Sequence, residues 1–195
     1  MSNGARRGGK TTREAIFAAA LALAAERGIT ATTMDDIAAR AGVAKGSLYY
    51  NFSSKDQLFD ALLELELSEL SARLASAREG LRGRAAIRAL VEAVLQAMQE
   101  EPDLARVLVT EIFRDDRSWV RTVAVAREGF LSAFQVSCEE AAADVGHPLR
   151  NAAIVSAGVF GSALLIGLEW LLRGAQTPRG ELVEQVAGDL AAVLG

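Results

Sequence analysis

One cysteine, one histidine and three prolines are all that 195 residues contain of those types. Cys138 has no partner within the chain, which excludes an internal disulfide and fits a reducing cytoplasm. His147 stands alone next to Pro148, so no histidine cluster is available and no metal site is expected. Aromatic residues make up only 6%. The polar N-terminus lacks the apolar core of a secretory signal, so no leader is expected. No catalytic set stands out. Gly80 and Gly83 have neither the spacing nor the preceding strand of a phosphate loop, and Glu139-Glu140 reads as a solvated helix face. Neither a catalytic residue nor a cofactor is expected, and a binding protein is a better reading than an enzyme.

The chain is 51% hydrophobic, rich in Ala, Leu, Glu and Arg, and poor in β-branched alternation. That composition predicts an all-α protein of about nine helices. Pro102, Pro148 and Pro178 fall where helices should break. Net charge is −4 but unevenly spread: residues 1–55 carry eight Lys/Arg against four Asp/Glu, the remainder thirteen against twenty-one. A basic end on an acidic body fits a nucleic-acid-binding module joined to a regulatory half. The stretch Ala152 to Leu168 is uncharged for 17 residues, the low edge of membrane-spanning length. Its Ala, Gly and Ser content, with Glu169 and Arg173 close behind, favours a helix buried at a protein interface; no membrane partner is expected.

The organising segment runs from Thr33 to Lys55. Thr32 or Thr33 is placed to cap a short helix with Asp35 and Asp36 in its first turn, where negative charge is favoured. Ile37, Ala38 and Ala41 form its inward face, and Gly42 suits the left-handed position that ends it. A second short helix, about Ala44 to Asn51, is anchored by Leu48 and Phe52. Its other face carries Lys45, Ser47, Tyr49 and Tyr50, and Gly46 permits close approach. Two short helices meeting steeply, the second displaying polar groups, describe a helix-turn-helix; the alternative is an αα-corner with a solvated face. A helix starting at Thr11 or Thr12 and running to about Arg27 precedes it. The pattern Ser54-x-x-Gln57 is a capping box that starts a long helix from Lys55 to about Arg78. The Gly-rich arm with Arg6 and Arg7 suits minor-groove contact.

In order and spacing, the segment from about Thr11 to Leu62 resembles the TetR family of bacterial transcriptional regulators. The resemblance implies a homodimer, a double-stranded palindromic DNA operator, and release when a small-molecule effector enters the C-terminal half. It places Thr33 at a backbone phosphate and Ala44, Lys45, Gly46 and Ser47 at base edges or phosphates. Tyr49 and Tyr50 then reach the sugar-phosphate backbone, and Lys55 a phosphate. Ala44 departs from the family pattern, where Ser or Thr often stands, because its methyl can neither cap nor donate.

Expected domains are therefore 1–54, the basic arm and helix-turn-helix, and 55–195, a helical effector-binding and dimerisation half. Gly80 and Gly83 break the long helix, and three further helices precede the apolar one. Met98, Phe113, Trp119, Phe130, Phe134 and Phe160 are candidates for an apolar effector cavity, with Glu111 and Arg121 as polar guides. The last two helices, about Leu149 to Arg173 and Arg179 to Leu194, are the expected dimer surface. The favoured function is a ligand-responsive repressor in the cytoplasm. Alternatives are a helical ligand carrier or enzyme that keeps the first module as scaffold, and a DNA-binding activator without a ligand.

Overall fold

The computed structural model describes residues 11–111, 114 and 117–194, with side chains as far as Gly188. Arg6, Arg7 and Phe113, and the side chains of Leu190 and Val193, lie outside the described residues. Those described form nine helices and no strand: α1 (Thr12–Ala31), α2 (Met34–Ala41), α3 (Lys45–Asn51), α4 (Lys55–Arg78), α5 (Gly83–Glu100), α6 (Pro102–Glu111), α7 (Val120–Asp144), α8 (Ala152–Leu172) and α9 (Arg179–Leu194). The all-α expectation is met. Contacts divide the chain into Met1–Leu62 and Leu63–Gly195. The first turns of α4 thus count with the first unit, past the boundary expected after residue 54.

In the first unit, α1 opens with a reciprocal cap. Thr11 Oγ1 accepts from the Glu14 N–H at 3.2 Å, and Glu14 Oε2 accepts from the Thr11 N–H at 3.0 Å. The helix breaks at Gly28, whose φ of 81° suits glycine, and Ile29 then turns into the core. Ile16, Ile37, Leu48 and Phe59 have no exposed surface at all. Burial of this order is what lets helices as short as α2 and α3 persist, since neither is long enough to be stable alone. Arg40 grips Glu26 through two N–H donors, each at 2.9 Å, and Arg27 reaches Asp36 at 2.6 Å. These exposed pairs orient α2 on α1 more than they stabilise it.

In the second unit, α5 is the central helix and packs against α6, α7, α8 and α9. Its stripe of Ile87, Leu90, Val91, Val94 and Leu95 is buried. Gly167 on α8 permits close contact with α5, because a methyl group there would sit 2.7 Å from Met98 Sδ. Phe134 and Phe160 pack α7 on α8 with ring centroids 5.6 Å apart. At the α4–α5 turn, Glu140 of α7 accepts from the Gly83 N–H at 3.0 Å and from Arg78 at 3.2 Å. That N–H, then Arg78 and Arg82, hold its carboxyl below the usual carboxylate range. Between α6 and α7, buried Glu111 accepts from Trp119 Nε1 at 3.1 Å, and the Arg117 guanidinium lies 5.6 Å from the Trp119 ring centroid.

α8 has two apolar faces. Ser156, Val159, Phe160, Ala163, Gly167 and Trp170 are buried in the unit. On the opposite stripe Ile154, Leu165 and Leu172 are 69%, 67% and 63% exposed, with Gly158 and Gly161 between them. A methyl group on either glycine would meet nothing within 4 Å. Nothing within the chain therefore requires glycine there, although each glycine weakens a helix by about 0.5–1 kcal/mol relative to alanine. By length and composition alone α8 also qualifies as a membrane span. Its buried stripe packs it among α5, α6 and α7.

Candidate functional site

The α2–α3 corner is built by backbone chemistry first. Thr33 caps α2: its Oγ1 accepts from the Asp36 N–H at 3.2 Å and donates to Asp36 Oδ2 at 2.6 Å. That hydroxyl, and then Arg27, keep the Asp36 carboxyl below its ordinary pKa. Gly42 closes α2 in the left-handed region, φ 68°, and the Val43 N–H returns to the Ala38 carbonyl at 3.1 Å. Ala44 then opens α3 with no side-chain cap. The first turn of α3 therefore keeps N–H groups that its own sequence does not satisfy.

Leu48 and Phe52 fix α3 from below, at 0% and 4% exposure. Phe52 packs 5.5 Å from Phe17, and the Arg13 guanidinium lies over both rings. The outward face carries Lys45 and, one turn on, Tyr49, with Gly46 and Tyr50 beside them. Tyr49 is 51% exposed and Tyr50 91%. An aromatic ring left that open contributes little to a core, which makes it a candidate contact. Ser47 is half-buried, and its carbonyl accepts from Asn51 Nδ2 at 2.8 Å. Lys45 Nζ donates to Asp35 at 2.6 Å, and both groups are largely exposed. Asp35 holds this ammonium protonated and offsets its charge until a stronger anion competes.

Lys55 behaves differently from the expectation of a phosphate contact. Its Nζ donates to the carbonyls of Ile29 at 2.9 Å, Thr30 at 3.1 Å and Thr32 at 2.9 Å. An ammonium has three N–H donors, and all three are committed to the end of α1. Lys55 here ties the start of α4 to the end of α1 and satisfies carbonyls that the helix leaves over. The spacing of the motif gave no sign of this, because the partners lie more than twenty residues away.

The second unit holds a cavity of about 70 Å³ walled by α4, α5, α6, α7 and α8, mostly by Leu, Val and Ala. Met98, Phe130 and Phe160 are in its wall. Trp119 is instead buried against Glu111, and Phe134 packs behind Phe160 in the core. Glu111 is thereby occupied, and Arg121 is exposed and outside the wall. Leu67, Leu70, Leu108 and Leu164 are among its aliphatic residues. Ring and sulfur content carried no signal for these aliphatic residues. Glu66 also lines it, its carboxyl pushed up to about 7 by burial and then by the neighbouring Glu101. Cys138 lies apart from the cavity, fully buried, its thiol pushed up to about 11 mainly by burial, which makes it a poor nucleophile.

Residues 16–62 match the family of bacterial regulatory proteins described as the tetR family. The chain is 36% identical over 94 residues to the HTH-type transcriptional repressor KstR2 of Rhodococcus jostii, covering 48% of this chain and 46% of that protein. It thus spans about half the length of that relative. It is 27% identical to the HTH-type transcriptional activator FasR of Mycolicibacterium smegmatis over 94% of this chain and 84% of that one. In fold it is similar to the transcriptional regulator FadR from Bacillus subtilis in complex with stearoyl-CoA. The TM-score is 0.76 at 18% identity, over 91% of this chain and 96% of the other. The motif match falls on the capped α2, the Gly42 turn and the outward face of α3, and the full-length likeness continues through the helical second unit. Residues 16–62 thus carry the tetR-family match, and the whole chain is similar in sequence or fold to transcriptional regulators.

Proposed function

We propose that this protein is a DNA-binding transcriptional regulator and not an enzyme. It acts in the cytoplasm as a homodimer, as a repressor that a small molecule releases from a palindromic operator. The observation that carries the reading is the division of α3. Leu48 and the adjoining Phe52 are buried, while Lys45, Gly46, Tyr49 and Tyr50 are presented outward. A helix held from one side with basic and phenolic groups on the other suits a major groove. Thr33, Ala44 and Ser47 flank that face, and the uncapped first turn of α3 suits phosphate oxygens. Lys55 serves as a positioning residue. The basic arm bearing Arg6 and Arg7 would add minor-groove contacts.

The dimer would form through α8 and α9, where the exposed stripe of α8 needs a partner and its two glycines allow backbone approach. The cavity would take the effector. At about 70 Å³ it is well below the ~300–1,000 Å³ of a drug-sized ligand, so occupancy must displace its walls. The α4 segment Glu66 to Arg73 forms part of that wall, and α4 begins in the helix-turn-helix unit. A ligand that favours the opened wall shifts the population away from the DNA-competent spacing of the two α3 helices. The name of the FasR relative admits the opposite sign, activation, and a reporter driven by the operator distinguishes the two.

Lys45→Ala and Tyr49→Ala should each weaken binding to the DNA upstream of the gene by about tenfold while leaving the melting curve unchanged. Gel shifts across a salt series should also show affinity falling steeply with ionic strength. Unaltered affinity in both variants would sink the assignment of α3. Gly46→Ala offers a sharper contrast. A methyl there meets nothing within 4 Å in the chain, so the variant should gain up to about 1 kcal/mol of stability. Operator affinity should nonetheless fall by about tenfold, because the methyl occupies space that the groove needs. A variant both more stable and equally tight on DNA would place Gly46 outside the contact.

A further inference from the structure

Arg127 belongs to the wall of the second-unit cavity, and its Nε is shielded from solvent with no hydrogen-bond partner in the chain. The other charged groups of that wall are accounted for. Arg73 donates to Glu100 at 2.7 Å and pairs with Glu101 at 3.5 Å. Glu66 lies beside Glu101, and Glu69 is exposed. Arg127 therefore leaves a buried N–H donor without an acceptor beside Leu, Val, Met and Phe side chains. A guanidinium cannot escape this by losing its proton, since it stays charged at any ordinary pH. A donor in that position is satisfied by an acceptor arriving from outside, and an anionic oxygen makes the stronger bond.

We propose that the cavity takes an apolar molecule bearing one anionic oxygen group, a carboxylate or its chemical equivalent, which accepts a hydrogen bond from Arg127. The inference rests on the reading of the second unit as the sensing half and gives that unit a ligand class. The apolar body displaces Met98, Leu108 and Leu164, and the acid end ranks ligands of equal length. The narrow resting cavity favours a flexible body, which enters by side-chain rotation, over a rigid ring system that must part the helices. Arg127 is then the residue that separates an acid from the corresponding alcohol or amine.

The test uses three probes of one chain length, each below its micelle concentration: dodecanoate, dodecanol and dodecyltrimethylammonium. Calorimetric titration of the full-length protein without DNA should show dodecanoate binding about tenfold tighter than dodecanol, and the cation weakest. Arg127→Met should bring dodecanoate to within about threefold of dodecanol, with dodecanol bound alike by both proteins. Equal binding of all three probes, tightest binding of the cation, or an acid preference that survives Arg127→Met overturns the proposal. Because the wild-type ranking alone decides between acid and cation, a misfolded variant does not rescue it. DNA is absent from the titration, so the two readings fail separately. Lost operator binding with the ranking intact sinks the regulator, and operator binding with no acid preference sinks the ligand class.

Discussion

Leu165→Glu should leave each chain folded, convert the dimer to a monomer, and lower operator affinity by about 100-fold or more. The side chain is 67% exposed in the isolated chain, so a carboxylate there is solvated and the fold is undisturbed. In the proposed dimer the same position lies in an apolar contact, where an unpaired charge is strongly unfavourable. Covering Leu165, Ile154 and Leu172 in both chains supplies about 1.5–3 kcal/mol per fully buried side chain, and the charge removes part of that gain as well. Operator affinity falls because a dimer holds the second half-site at high effective concentration, and a monomer does not. Sedimentation velocity reads the assembly state and a gel shift reads the DNA. Val125→Glu is the control, since Val125 is 63% exposed on α7, away from the α8 stripe. A dimer that persists in Leu165→Glu, or that dissociates equally in Val125→Glu, moves the interface elsewhere.

Gly83→Ala should destabilise the second unit by about 2–5 kcal/mol. Two effects add. The backbone at Gly83 has φ +52°, where a side chain costs ~1–2 kcal/mol. The added methyl would also lie 3.3 Å from the Ala141 Cα and 2.9 Å from Asp144 Oδ2. Asp144 is able to swing away, but the α7 backbone at Ala141 is not, and overpacking of this kind costs ~1–3 kcal/mol. Relief by moving α5 outward would break the bond from the Gly83 N–H to Glu140. Gly80→Ala isolates the first effect, since φ is +70° there but nothing lies within 4 Å of the added methyl. It should cost only about 1–2 kcal/mol. Both tryptophans, Trp119 and Trp170, are in the second unit, so urea unfolding followed by their fluorescence reports on it directly. Equal midpoints for the two variants would refute the contact with α7.

Much of the fold was legible because its signals are local. The Ser54–Gln57 pattern places the start of α4 at Lys55, and Ser54 Oγ does accept from the Gln57 N–H at 3.1 Å. Gly28 and Gly42 mark chain reversals by their lack of a side chain, and both have positive φ. The division of α3 followed from the same short-range logic, with Leu48 and Phe52 inward and the tyrosines outward. What was hidden depends on distance through space. The three carbonyls that hold Lys55 come from a turn 23 to 26 residues earlier. Glu111 was expected to guide a ligand but is taken up by the indole N–H of Trp119, eight residues on. The cavity wall draws a few residues from each of five helices, most of them aliphatic. Periodicity identifies such residues as inward-facing and cannot tell a wall from a core.

The tightness of that chamber also bears on how the protein responds to concentration. Any occupant must spend part of its binding free energy on separating well-packed helices, so its apparent affinity is its intrinsic affinity reduced by the rarity of the open form. The response threshold is then governed by how firmly Gly167, Leu95 and their neighbours interlock, and chemical preference by the groups that meet the ligand. Sensitivity and selectivity then reside in different side chains, and substitutions that never touch the proposed effector are able to retune the first without altering the second.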